Sequence, residues 1–301
     1  MSFTQSLLNR WLRAVEKRRL RNGSPATLRR ALELQARLFF HAPRGTSQSW
    51  VSFGGVDCKR IAARHENPDR IIFYIHGGGF VFGSPDTHSA LVGQLVKRLG
   101  AWAVLPRYRL APEGNYPAAP DDIRAVWNGL LAEGVKPENV VIGGDSAGGA
   151  LAFGLVATLL AEGAALPGAV FGFSPLTDLT FSGASLGENA DRDVVLPAER
   201  AAEMATLFLQ GAPADNPSVS PLFGDFNGSP PAWITVGDTE ILYDDARRLA
   251  ERLKGQGVKT ELTVENDLPH VWPLFHNVLP EGRQTLDNLS KWIRQQQNWE
   301  A

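Results

Sequence analysis

A chain of 301 residues that is 44% hydrophobic and 21% charged is long enough to bury about three quarters of its surface on folding, which excludes disorder and a disulfide-stapled mini-protein. Its formal net charge of −2 gives no general reason to expect a nucleic-acid partner. The single cysteine, Cys58, permits no intrachain disulfide and fits a reducing, cytoplasmic compartment. Cys58 itself reads as a packed strand residue.

The charge is uneven along the chain. Residues 1–30 hold eight basic side chains (Arg10, Arg13, Lys17, Arg18, Arg19, Arg21, Arg29 and Arg30) against one acid, Glu16. Transit peptides and membrane-surface helices share that bias, but a solvated basic face on helices of the folded protein is the expected reading. Arg10 and Arg13 interrupt the only candidate for a secretory signal, and no apolar run approaches the roughly 20 residues that span a bilayer, so stable membrane insertion is not expected. Leu7, Leu8, Trp11, Leu12 and Val15 fall on one face of a first helix. Ser24-Pro25 opens a second, with the cap residue followed by proline at the first helical position, and its stripe runs through Leu28, Ala31, Leu32, Gln35, Leu38 and Phe39.

From about residue 49 the period changes. β-rich runs at Trp50–Phe53, Val56–Ala62, Ile71–Ile75, Trp102–Leu105, Val140–Ile142, Ala169–Phe173, Trp233–Val236 and Val258–Val264 predict eight strands. Helical patterns between the later ones, such as Leu242, Ala246, Leu249 and Leu253, argue for βαβ units and a largely parallel sheet. The first strands are too close in sequence for crossovers and should pair antiparallel. Between Phe173 and Trp233 lie 59 residues, more than one crossover needs, so this interval holds an insertion centred on a helix at Leu196–Leu209. Val258–Val264, as the last strand, is a candidate sheet edge through which two chains could pair as a homodimer.

The strongest chemical signal is Gly144-Asp145-Ser146-Ala147-Gly148, between the strand at Val140–Ile142 and an Ala/Leu-rich helix. A serine exposed on a tight strand-to-helix turn needs small neighbours two residues to either side, because strand and helix backbones approach closely there; this is a nucleophile elbow. Serine at its ordinary pKa is a weak nucleophile, so the motif calls for a base and a residue to orient that base. The second signal, His76-Gly77-Gly78-Gly79-Phe80, follows the strand Ile71–Ile75. Its glycines let backbone N–H groups reach a substrate oxygen, making Gly78 and Gly79, with Ala147 after the serine, the candidate oxyanion donors. His76 precedes the serine and is assigned a structural role in that loop.

An elbow of this kind orders its triad serine, acid, histidine along the chain. Only His270 and His276 follow Ser146. His270, six residues past the last strand and behind Pro269, is the candidate base, whereas His276 falls in a stretch with helical character. For the acid, Asp238 and Glu240 both stand near the end of the strand Trp233–Val236, and composition leans weakly to Asp238, since glutamate adds a methylene to immobilise. Phe80, Phe82, Met204 and Phe208 are candidate pocket residues, although hydrophobes at helical spacing are more often core.

At these residues the chain resembles the hormone-sensitive-lipase-like family of bacterial esterases in the α/β-hydrolase superfamily. The resemblance rests on His76-Gly77-Gly78-Gly79-Phe80, Tyr108-Arg109-Leu110-Ala111-Pro112-Glu113, Pro117-Ala118-Ala119-Pro120-Asp121-Asp122, the Gly-Asp-Ser-Ala-Gly elbow and Ser174-Pro175-Leu176-Thr177-Asp178. Family members carry an Asp-Pro-Leu-Arg-Asp-Glu run whose first aspartate is the triad acid. Laid on it, Glu240-Ile241-Leu242-Tyr243-Asp244-Asp245 puts Glu240 at that position, and some members use glutamate there. Arg107 departs from the family, which often has aspartate at this point.

The resemblance implies an α/β-hydrolase fold: an eight-stranded, mostly parallel sheet flanked by helices, under a helical cap. Residues 1–44 and 181–212 would form the cap, and 45–180 with 213–301 the core. It further implies a serine carboxylesterase for small-molecule, short-chain acyl esters, with Ser146, Glu240 and His270 as triad. No cofactor or metal is expected, since neither a His-Glu-x-x-His run nor a phosphate-binding Gly-Lys-Ser/Thr loop occurs. The same machinery serves amides, lactones and carbamates. Plant gibberellin receptors also resemble the family but have lost the histidine that stands here as His270.

Overall fold

The computed structural model describes residues 3–299. The chain opens with α1 (Phe3–Trp11), a π-helical turn at Leu12–Glu16, α2 (Lys17–Asn22) and α3 (Pro25–Phe39). α3 starts where the sequence signals it, with the Ser24 side chain accepting from the Thr27 N–H and Pro25 in the first turn. There follow β1 (Thr46–Phe53), β2 (Val56–Ala63), β3 (Ile71–Ile75), α4 (Pro85–Leu99), β4 (Trp102–Pro106), α5 (Ala118–Ala132), β5 (Val140–Asp145), α6 (Ala147–Ala161) and β6 (Ala169–Phe173). The remainder comprises α7 (Ser185–Glu188), α8 (Ala201–Leu209), β7 (Ala232–Gly237), α9 (Tyr243–Gly255), β8 (Thr260–Glu265) and α10 (Pro280–Gln297).

The strands form one sheet in the order β1-β2-β4-β3-β5-β6-β7-β8. β2 is antiparallel to both β1 and β4, and every other pairing is parallel. Buried side chains alternate between two cores: Ile71, Phe73 and Ile75 of β3 join one with α5, α6 and α9, while Ile72 and Tyr74 join the other with α4 and α10. Helices on both faces explain why β3, β4, β5, β6 and β7 are buried along their whole length. Cys58 is fully buried on β2, and burial pushes its thiol up to about 12.

All eight predicted strands are present; β3 and β6 have the predicted bounds and the others differ at one or both ends. β5 runs on to Asp145 because Gly143 and Gly144 still pair with Tyr74 and Ile75 on one side and Phe171 and Gly172 on the other. β8 starts at Thr260 rather than Val258. The helix expected at Leu196–Leu209 begins at Ala201, after a 3-10 turn at Ala198–Arg200.

The predicted apolar face of the first helix is only partly buried, with Leu12 in a core cluster and Leu8 packed against it. Leu7 is 58% and Trp11 42% exposed, while Gln5, Asn9, Leu12, Lys17 and Leu20 are buried. Polar side chains hold the helix: Gln5 and Asn9 donate to the Asp267 carbonyl, and Lys17 Nζ donates to the carbonyls of Ala190 and Asp193 at 2.7 Å each. Buried backbone carbonyls need donors, and these amides and the ammonium supply them, which turns the polar side inward. Among the described residues, no helix is long and apolar enough to cross a membrane.

Candidate active site

Ser146 stands between β5 and α6 with φ 51° and ψ −122°, a conformation L-residues adopt only where surrounding structure holds it. Two contacts do so: the Ser146 N–H donates to the Phe173 carbonyl at 3.0 Å, and its carbonyl accepts from the Leu176 N–H at 3.0 Å. The flanking glycines are required by packing. A Cβ at Gly148 would stand 2.0 Å from the Ile75 carbonyl oxygen, and one at Gly144 would be 2.5 Å from that same oxygen.

The His76–Phe80 loop follows β3 beside the elbow. Gly78 and Gly79 have φ of 120° and 58°, which glycine alone adopts without strain. The loop is clamped from below: Asp145 Oδ1 accepts from the Gly77 N–H at 3.1 Å and from Tyr74 Oη at 2.8 Å, while Tyr108 Oη donates to the His76 carbonyl at 2.8 Å. His88 of α4 approaches Asp145 with Nε2 at 3.2 Å. Burial alone would raise the Asp145 pKa, yet the His88 imidazole and the Tyr74 hydroxyl hold it below the usual carboxylate value. Burial also works against a charged His88, but Asp145 wins and its pKa is raised. His76 stacks against Tyr108 with ring centroids 4.3 Å apart. Burial and the neighbouring His88 push its pKa down to about 3, so it stays neutral.

His270 and Glu240 meet across the ends of β7 and β8. His270 Nδ1 lies 2.6 Å from Glu240 Oε2. The other carboxylate oxygen, Oε1, accepts from the Gly237 N–H at 2.6 Å and from Ser174 Oγ at 2.7 Å. Burial would lower the His270 pKa; the Glu240 carboxylate more than offsets it, with Asp193 and Asp145 adding to the upward shift. Asp238 faces elsewhere: its carboxylate accepts from the Asp267 N–H at 2.7 Å and lies 3.7 Å from Arg192. His276 is buried in the turn after Phe275, with Nδ1 against the Pro273 carbonyl.

Ser146, His270 and Gly77 to Gly79 line one cavity of about 440 Å³. Its other walls come from α1, α3, α8 and the segment 176–197, and are largely apolar, with Leu8, Trp11, Phe82, Leu179, Leu196 and Met204 among them. Phe80, Phe82 and Met204 line it as expected, and the Met204 methyl would stand 2.8 Å from a Cβ at Gly79. Phe208 does not line it. Its ring stacks behind Phe80 at 4.0 Å between centroids, so it is core, the outcome that helical spacing most often signals.

Three participants have no sequence signal of their own. Ser174 holds Glu240 and also accepts from the Val271 N–H, yet it appears only as part of a run with no assigned role. Asp193, nine-tenths buried and more, accepts from the N–H groups of Val195, Leu196 and Ile241, tying the 189–196 segment to the loop that carries Glu240. Burial, with the nearby Glu240 charge, raises its pKa despite His270. Asn189 Nδ2 adds donations to the Asp238 and Glu240 carbonyls. The departure at Arg107 has a local account: its guanidinium lies over the Trp50 ring of β1 at 4.1 Å.

Residues 72–274 match a protein family described by the α/β-hydrolase fold. An esterase of Acinetobacter venetianus is 34% identical over 291 residues, covering 96% of this chain and 94% of that protein. The crystal structure of an esterase from the bacterial hormone-sensitive lipase family superposes with a TM-score of 0.93 at 34% identity, over 98% of this chain and 99% of the other. The chain belongs to the α/β-hydrolase family, in its hormone-sensitive-lipase-like branch. An acetyl-hydrolase of Streptomyces hygroscopicus is 36% identical over 225 residues, 75% of each chain.

Proposed function

We propose that this family member hydrolyses carboxylic esters of short-chain acids through an acyl-enzyme on Ser146. The observation that carries the reading is the contact of His270 Nδ1 with Glu240 in a cavity that Ser146 also lines. With Nδ1 engaged by the carboxylate, Nε2 of the neutral imidazole is free to take the serine proton as Oγ attacks the carbonyl carbon. Glu240 holds the ring and stabilises the imidazolium. The N–H groups of Gly78, Gly79 and Ala147 receive the oxyanion, and the charge that develops there is stabilised by donors already fixed in place. Collapse of the tetrahedral species expels the alcohol with the proton from His270, and water repeats the sequence to release the acid.

Residues 1–44 and 181–212 act as a cap in this reading, since α1, α3 and α8 contribute walls to the cavity. The acyl preference rests on the resemblance and on relatives named acetyl-hydrolase and esterase. The sole cysteine fits a cytoplasmic enzyme. Labelling by a fluorophosphonate that maps to Ser146, together with a p-nitrophenyl ester series from acetate to palmitate, tests both chemistry and chain length. Failure to label, or faster turnover of palmitate than butyrate, overturns the corresponding half.

A further inference from the structure

The cavity opens at a rim that is apolar on the outside as well as the inside. Trp11 of α1, Phe39 at the end of α3 and Val278 all line the cavity, yet they are 42%, 60% and 50% exposed. The Asn277 side chain donates to the Phe39 carbonyl, joining two parts of this rim. The exposed side chains continue away from the opening along both helices, as Leu7 one turn before Trp11, and as Leu34 and Leu38 one turn apart on α3. Large apolar residues scattered singly on a surface need no explanation; a set gathered around one opening does.

Basic side chains are interleaved with this set. Arg10, Arg18, Arg30 and Arg37 are exposed, and no hydrogen bond or ion pair engages them among the described residues. The two acids of residues 1–40 are already occupied: Glu16 binds Arg19 and Gln35, and Glu33 binds Ser84. The other basic residues of the region are spent on structure, as with Lys17 on buried carbonyls and Arg29 on Glu113. What remains outward is cationic and apolar together, the composition of helices that lie in the head-group region of a bilayer, with tryptophan at the boundary.

We propose that the outer face of α1 to α3 docks on an anionic phospholipid bilayer, with the cavity mouth turned to the lipid. The unpaired arginines match anionic head groups, and Leu7, Trp11, Leu34, Leu38 and Phe39 enter the boundary beneath them. Attachment is peripheral. An ester dissolved in the membrane then reaches the cavity without crossing water; this last clause rests on the ester-hydrolase reading, whereas the docking itself does not.

The test is sedimentation of the full chain with sucrose-loaded vesicles, either of phosphatidylcholine alone or with about one third phosphatidylglycerol. Binding is expected to the anionic vesicles only, and to be reversed by high salt. The variant R10Q/R18Q/R30Q/R37Q is expected to lose at least about a hundredfold in binding, and L7S/L34S/L38S a comparable amount, while both keep soluble-ester kcat/KM within about twofold, because these are exposed positions outside the cavity lining. Absence of binding, equal binding to both vesicles, or wild-type binding by either variant overturns the proposal. So does a stable dimer by light scattering that fails to sediment and that L7S/L34S/L38S dissociates, which would show a second copy covering this face. An inactive wild type that still sediments would instead sink the hydrolase reading and leave the docking standing.

Discussion

Glu240 Oε2 and His270 Nδ1 stand 2.6 Å apart although 30 residues of chain separate them. The glutamate is itself immobilised by the Gly237 N–H and Ser174 Oγ, so its additional methylene is no source of slack. Replacing Glu240 by Gln keeps shape but removes the charge that supports the imidazolium, and a comparable change in another triad costs on the order of 10⁴-fold. Asp238→Asn removes an acceptor for the Asp267 N–H and should cost far less. Measured kcat/KM for the two variants on one short-chain ester checks this, and a collapse confined to Asp238→Asn contradicts it.

Ser146→Ala should abolish turnover without unfolding the protein, since alanine loses only the hydroxyl and the backbone strain at this position is held by neighbours. Losses near 10⁶-fold accompany removal of such a nucleophile, and retention of more than about a hundredth of wild-type activity would refute the assignment.

The pH profile follows from the raised pKa of His270. Activity needs the neutral imidazole, so kcat/KM should fall with acidification, at a midpoint above the reference of about 6.5. Stability runs the other way. A group whose folded pKa lies above its unfolded value contributes stability that is complete below the unfolded pKa and lost as pH rises through the folded one. Parallel kinetic and thermal-unfolding series should therefore show activity declining toward acid while the contribution of this pair to Tm does not decline, and Glu240→Gln should move the kinetic midpoint down.

Gly77→Ala probes the loop that supplies the candidate oxyanion donors. A Cβ there would stand 2.2 Å from Asp145 Oδ2 and 2.8 Å from the Asp145 carbonyl oxygen, so the loop must shift away from its clamp. Misplacing one such donor costs on the order of 10² to 10³ in kcat. The expected result is a fall in kcat with KM little changed, and an unchanged kcat would show that the donors are elsewhere.

Homodimerisation through β8 remains an expectation from its position at the sheet edge, where Val264 is 42% exposed. Light scattering at micromolar concentration should return twice the chain mass, and a monomer mass would reject it.

Local chemistry sufficed for much of this protein. Short runs rich in β-branched and aromatic residues marked the strands, and the small residues around Ser146 and the glycines after Ile75 marked the two turns, because each turn needs a backbone that few residues can adopt or allow. Chain order then narrowed the base to His270 or His276, and the place of His270 in the loop after the last strand, behind Pro269, chose between them. Tertiary packing decided the rest. Asp238 and Glu240 differ by two positions, and which one faces the imidazole depends on the path of the β7–α9 loop, held by Asn189, Ser174 and Asp193 from distant segments. Phe208 is a candidate pocket residue as part of the insertion helix, but its ring stacks behind Phe80 and does not line the cavity. Helical spacing put Leu7, Leu8, Trp11, Leu12 and Val15 on one face, yet Leu7 is exposed while Gln5, Asn9 and Lys17 are buried because the carbonyls of Asp267, Ala190 and Asp193 require donors. Periodicity reports which residues share a face; which face is buried depends on the hydrogen-bonding groups that another part of the chain presents to it.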